Sequence, residues 1–115
     1  MTSDDLALAP EACTLPTAER PLRLAEFDEL FTSAVRSVDA LSPTHVRMRL
    51  AGPAGLADRV RDLSAREIEC CSFFTFTLTP EPIVHGEAMV LDIEVPIAYA
   101  GVLATLAGRA RKASE

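Results

Sequence analysis

Three short stretches of this chain alternate apolar and polar residues one for one. In residues 45–50, Val46, Met48 and Leu50 fall on one side and His45, Arg47 and Arg49 on the other. In residues 73–79, Phe74, Phe76 and Leu78 oppose Phe73, Thr75, Thr77 and Thr79. In residues 88–95, Leu91, Ile93 and Val95 oppose Asp92 and Glu94. A period of two marks a strand with one buried face, so each of these needs a covering layer.

Elsewhere the period becomes helical. Residues 17–38 carry Leu24, Phe27, Phe31, Ala34, Val35 and Val38 at helical spacing. Thr17 suits the N-cap, and Pro21 is tolerable only in a first turn. Ser42-Pro43 breaks the pattern, and Gly52-Pro53-Ala54-Gly55 makes a turn. Residues 56–70 form a second helix with Leu56, Val60 and Leu63 as its stripe. Pro96 opens a third that runs to about residue 111 through Tyr99, Val102, Leu103, Leu106 and Ala110. Residues 80–86 read as a loop.

The order helix, strand, helix, strand, strand, helix predicts an α+β fold, a small mixed sheet of about three strands with helices packed on one face. The strand–helix–strand unit should cross over right-handedly between parallel strands, and the last two strands should form an antiparallel hairpin. Residues 1–12 read as a loose N-terminal arm and 13–115 as a single α+β domain, which suits a chain of 115 residues.

The net charge of −6 argues against direct nucleic-acid binding, which needs clustered Lys and Arg. No apolar run approaches the roughly 20 residues of a membrane span. The acidic start Met-Thr-Ser-Asp-Asp lacks the pattern of a signal peptide, so the expected place is the cytoplasm. Thiols are expected to be reduced there, and an odd count of three cysteines fits poorly with a disulfide scaffold.

Those cysteines carry the chemistry. Cys70 and Cys71 are adjacent and Cys13 lies far upstream. The stripe Leu56, Val60, Leu63 continues at about 100° per residue onto Glu67, with Cys70 and Cys71 flanking it. A carboxylate is rarely buried unless it is paired or bound to a metal. The pair sits at a helix C-terminus, whose partial negative charge disfavours a bare thiolate, and Glu67 and Glu69 add to that, with only Arg66 opposing. A bound cation reverses the penalty, because a coordinating thiol is deprotonated outright. The electrostatics favour a metal ligand over a redox nucleophile. Buried structural cysteines are the plainer alternative. His45, on a polar strand face, and His85, in a loop, are weak candidates for a further ligand. Nothing matches a phosphate loop, a Ser/His/Asp set or a dinucleotide fingerprint.

The segment Glu67-Ile68-Glu69-Cys70-Cys71-Ser72-Phe73-Phe74-Thr75-Phe76-Thr77-Leu78 resembles the C-terminal region appended to some MerR-type regulators of mercury and related metals, and free-standing small proteins of the same type. Ala12-Cys13-Thr14-Leu15, followed by a helix with Arg20, Leu24 and Phe27, fits the same pattern, so the resemblance covers residues 12–95. It implies that Cys13, Cys70 and Cys71 bind a soft metal ion or organometal, with Glu67 nearby; Glu67 is expected to join that site as a weak ligand or as a group just outside the ligands. The chain departs from those regulators in having no DNA-binding helix-turn-helix portion. The expected function is soft heavy-metal binding, of the Hg(II), Cu(I) or As(III) class, in resistance, sequestration or sensing. Two alternatives are an organometal-cleaving enzyme that uses the dithiol and Glu67, resembling an organomercurial lyase, and a non-catalytic interaction module. The expected partner is the metal ion, with no nucleic acid and no membrane; a homodimer is left open.

Overall fold

The computed structural model describes residues 20–114, apart from the side chains of residues 20–22, 24 and 70. The expectations for the 1–12 arm, for Thr17 and for Cys13 lie outside the described residues. The described chain runs α1 (Arg20–Ala34), β1 (Val35–Ser42), β2 (His45–Gly52), α2 (Leu56–Cys70), β3 (Thr75–Glu81) and β4 (Glu87–Glu94). A single 3-10 turn (Ile97–Tyr99) then leads into α3 (Ala100–Ser114). This is an α+β fold, as the sequence indicates.

Among the described residues the sheet has four strands rather than three, in the order β1-β2-β4-β3, and every neighbouring pair is antiparallel. It is therefore not mixed. β2 and β3 run in the same direction on either side of β4, so the expected parallel pair exists in orientation, but β4 is inserted between its members. The hairpin of β3 and β4 forms as expected, with Phe76 opposite Ile93 and Leu78 opposite Leu91.

The additional strand, β1, takes the last turn assigned to the first helix. Val35 and Val38 are three residues apart, a spacing that continues the stripe of Phe27, Phe31 and Ala34. In the structure a bulge lies between Val35, paired with Leu50, and Ser37, paired with Arg49. The extra residue breaks the alternation, so that Val35 is buried and Val38 also packs on the core. α1 passes into β1 with no intervening residue.

One face of the sheet is covered. In β2 the alternate residues Val46, Met48 and Leu50 are buried, and in β4 Met89, Leu91 and Ile93. Phe27, Leu30 and Phe31 of α1, Val60 and Leu63 of α2, and Leu103 and Leu106 of α3 close over them. Burying a side chain of this size is worth about 1.5–3 kcal/mol, so this layer dominates stability. Phe73 and Tyr99 stack with ring centroids 4.1 Å apart, fastening the end of α2 to the entry of α3. Asp28 of α1 accepts two hydrogen bonds from Arg109 of α3, at 3.0 and 2.6 Å.

The start of α2 is set from outside the helix. Gly55, at φ 102°, occupies the left-handed region before it. No side chain of its own segment caps it; instead the Glu87 carboxylate on β4 accepts the Ala57 N–H at 2.8 Å. An anionic acceptor there satisfies an orphan donor and suits the positive helix end.

Candidate functional site at the C-terminal end of α2

α2 spans the residues that the sequence assigns to it, and its buried stripe is Leu56, Val60, Leu63 and Glu67. Glu67 is 6 % exposed and Glu69 is exposed, so the carboxylate stands on the inward face as the wheel predicts. Cys71 follows one turn later and is fully buried; its backbone N–H donates to the Glu67 carbonyl at 2.7 Å, which extends the helical ladder by one bond. Phe73 and Phe74 are buried immediately beyond it.

Glu67 is paired with an arginine. Arg23 Nη1 donates to Glu67 Oε1 at 2.7 Å across the contact between α1 and α2. Arg23 also lies 3.5 Å from Glu26, which in turn accepts two hydrogen bonds from Arg66, at 3.1 and 2.9 Å. Arg66 reaches Asp62 at 3.0 Å. Charges alternate in sign from Asp62 through Arg66, Glu26 and Arg23 to Glu67, from the surface inward. Arg66 donates to Glu26 and Asp62, and Arg23 donates to the buried carboxylate.

Sequence reasoning missed Arg23, and a signal for it exists. Arg23 precedes Phe27 by four residues and so lies on the apolar stripe of α1, as Glu67 lies on that of α2. Two opposite charges on two buried stripes predict each other. Burial pushes the Glu67 carboxyl above the ordinary carboxylate range, while the hydrogen bond and charge of Arg23 act in the opposite direction without cancelling the shift.

Cys71 is disulfide-bonded. This differs from the expectation of reduced thiols, and it means that in this state the Cys71 sulfur is not available as a thiolate. The position of Cys13 and the side chain of Cys70 lie outside the described residues. Among the described residues no group of three or more His, Cys, Asp or Glu converges as a metal site. His45 is committed elsewhere: its Nε2 donates to Asp92 Oδ1 at 2.8 Å on the polar face of the sheet, beside Arg47 Nε at 2.9 Å from the same oxygen. His85 is exposed. Among the described residues no helix is long and apolar enough to cross a membrane.

Chemically, the end of α2 offers a buried sulfur, a carboxylate of raised proton affinity one turn before it, and an arginine that neutralises the carboxylate. Comparison of the chain with protein-family models, with curated proteins and with solved structures finds no match.

Proposed function

We propose that this chain, in its reduced form, is a soft-metal thiolate protein that takes up an ion of the Hg(II), Cu(I) or As(III) class for resistance, sequestration or sensing. The observation that carries this reading is the inward placement of Glu67 one turn before a fully buried Cys71, at the negative end of α2. A thiolate there is disfavoured until a cation arrives, and a soft cation is what sulfur selects. Cys71 and Cys70 would be ligands and Cys13 a third; Glu67 would act as an outer group that adds negative field, with Arg23 fixing its orientation. The net charge of −6 is consistent with a metal ion rather than nucleic acid as partner.

Titration of the reduced protein with Hg(II) tests this. Thiolate-to-metal charge-transfer absorbance that saturates, and is lost in Cys70→Ser, is the expected result. Saturation unchanged by that substitution sinks the site. If metal also leaves the melting temperature unmoved, the chain is an interaction module with structural cysteines, because a ligand specific to the folded state must raise stability by mass action.

A second reading follows from the inward placement of Glu67 one turn before Cys71, where burial raises its carboxyl. An acid beside thiolates could protonate the carbon that leaves a bound organometal, making the chain a carbon–metal lyase. Incubation with an organomercurial under excess thiol decides it, since no hydrocarbon release removes the reading.

A further inference from the structure

We infer that the outer edge of β3, with the flank of α2 beside it, docks a second copy of this chain, so that two sheets join across a two-fold axis into one. The inference uses neither the cysteines nor the metal reading.

Among the described residues β3 ends the sheet, with β4 on one side and no strand on the other. Such an edge offers a row of unpaired N–H and C=O groups, which proteins guard with charges, bulges or proline. Residues 75–79 carry none of these. The run is Thr-Phe-Thr-Leu-Thr, made of residues common in strands, and its register with β4 is unbroken. Pro80 and Glu81 guard only the last part of the strand.

Apolar surface continues past this edge. A depression runs between β3 and α2 in two halves that share Arg61 and Leu78; one half reaches Ile68 and Phe76, the other Pro80 and Ile83. Phe76 and Leu78 are only partly buried, and Ile68 is 39 % exposed. The single strand edge and this apolar flank together call for another strand with its own apolar flank.

The run supplies that strand itself, because its pattern reads alike in both directions about Thr77. A two-fold axis at Thr77 pairs residues 75–79 antiparallel with the same residues of a second copy. Phe76 then falls opposite the second copy's Leu78, and Leu78 opposite its Phe76, on the helix side, while threonine opposes threonine on the polar side. Aromatic–aliphatic and Thr–Thr pairs are both favourable across strands, and a contact of one patch with itself is the commonest form of dimer. Pro80 stays outside the paired run.

The charges on α2 obey the same axis. Arg61 lies toward the Leu78 end of the depression and Ile68 toward the Phe76 end. Turning one copy end for end brings Arg61 to the second copy's Ile68 and Glu69, and the reverse, so two opposite-charge pairs form. Both residues are exposed, and the Arg61–Asp58 pair, at 3.5 Å on the surface, is too weak to hold Arg61 back. A short strand edge and one helix flank make a small interface, so monomer and dimer should exchange with concentration.

Sedimentation of the whole chain over a range of concentrations tests this, with amide exchange followed in parallel. The expected result is a mass that rises from one chain to two, with the 75–79 amides slowing over the same range. Ile68→Glu, Arg61→Glu and Glu69→Arg, each folded by circular dichroism, should each raise the dissociation constant at least about tenfold through buried or like charge. A chain carrying both Arg61→Glu and Glu69→Arg keeps the net charge of −6 and should dimerise again, because the pairs are restored with their signs exchanged. A chain that stays monomeric at every concentration overturns the inference; 75–79 amides already slow in that monomer would show the edge covered from within the chain. A dimer indifferent to the three single changes, or one that leaves the 75–79 amides unslowed, uses another face and overturns it equally.

Discussion

At the scale of single residues, the buried Arg23–Glu67 pair decides how the end of α2 is held. A buried ion pair is weak evidence for stability, because desolvation of both groups offsets their attraction; losing one member is costly, because the other charge is left without that partner. Arg23→Met is therefore expected to destabilise the fold by about 3 kcal/mol, read as a lower urea midpoint. Arg23→Met combined with Glu67→Leu should recover most of that loss. A double variant no more stable than the single one would show that the pair contributes through more than its charge. Glu69→Gln, on the exposed side of the same turn, is the control and should lie within about 0.5 kcal/mol of the parent. Glu67 was legible in the sequence because a carboxylate interrupts an aliphatic stripe. Arg23 was legible by the same rule but lies among the acidic and aliphatic residues of a weakly patterned helix, where an arginine reads as surface.

At the scale of elements, α2 was legible end to end because Gly55 and the stripe of Leu56, Val60 and Leu63 mark it locally, whereas β1 was not. Its alternation is broken by the bulge, and an edge strand buries too little to restore the pattern; only its long-range pairing with β2 defines it. The cap on α2 was equally invisible, since Glu87 is 30 residues from Ala57. Glu87→Ala should cost about 1 kcal/mol, in the range of a lost N-cap, and should speed amide exchange in the first turn of α2. Unchanged exchange there would contradict a capping role. Across the polar face, Asp92 of β4 ties down His45 and Arg47 of β2. Burial raises the Asp92 carboxyl, but the hydrogen bonds and charges of His45 and Arg47 outweigh it and hold it below its usual range. A depressed carboxylate contributes stability that is present above its unfolded pKa of roughly 3.9 and is lost as pH falls through the lower folded value. The acid limb of a stability-against-pH curve should therefore flatten below about pH 4 in Asp92→Asn. An acid limb identical to that of the parent would refute this.

At the scale of the whole molecule, the three described helices pack on one face of an antiparallel sheet and bring the first turn of α1 to the last turn of α2, and that meeting defines the candidate site. The expectation of a parallel crossover was half met: β2 and β3 are co-oriented, but β4 returns between them. No local pattern can announce such an insertion, because it is decided by which edge the last strand finds. The same limit applies to the thiols. The sequence shows that Cys70 and Cys71 end a helix with an inward Glu67; that Cys71 is disulfide-bonded is seen only in the structure. The central claim is that the reduced thiols bind one soft ion together. Native mass spectrometry of the folded, phosphine-reduced chain with As(III) tests it most directly, because each sulfur that binds arsenic gives up its proton. The account predicts a single adduct, of one arsenic less three hydrogens where three sulfurs bind or of one arsenic and one hydroxyl less two hydrogens where two bind, abolished by prior alkylation. No adduct on the folded, reduced chain, or an adduct that survives alkylation of all three cysteines, would contradict it.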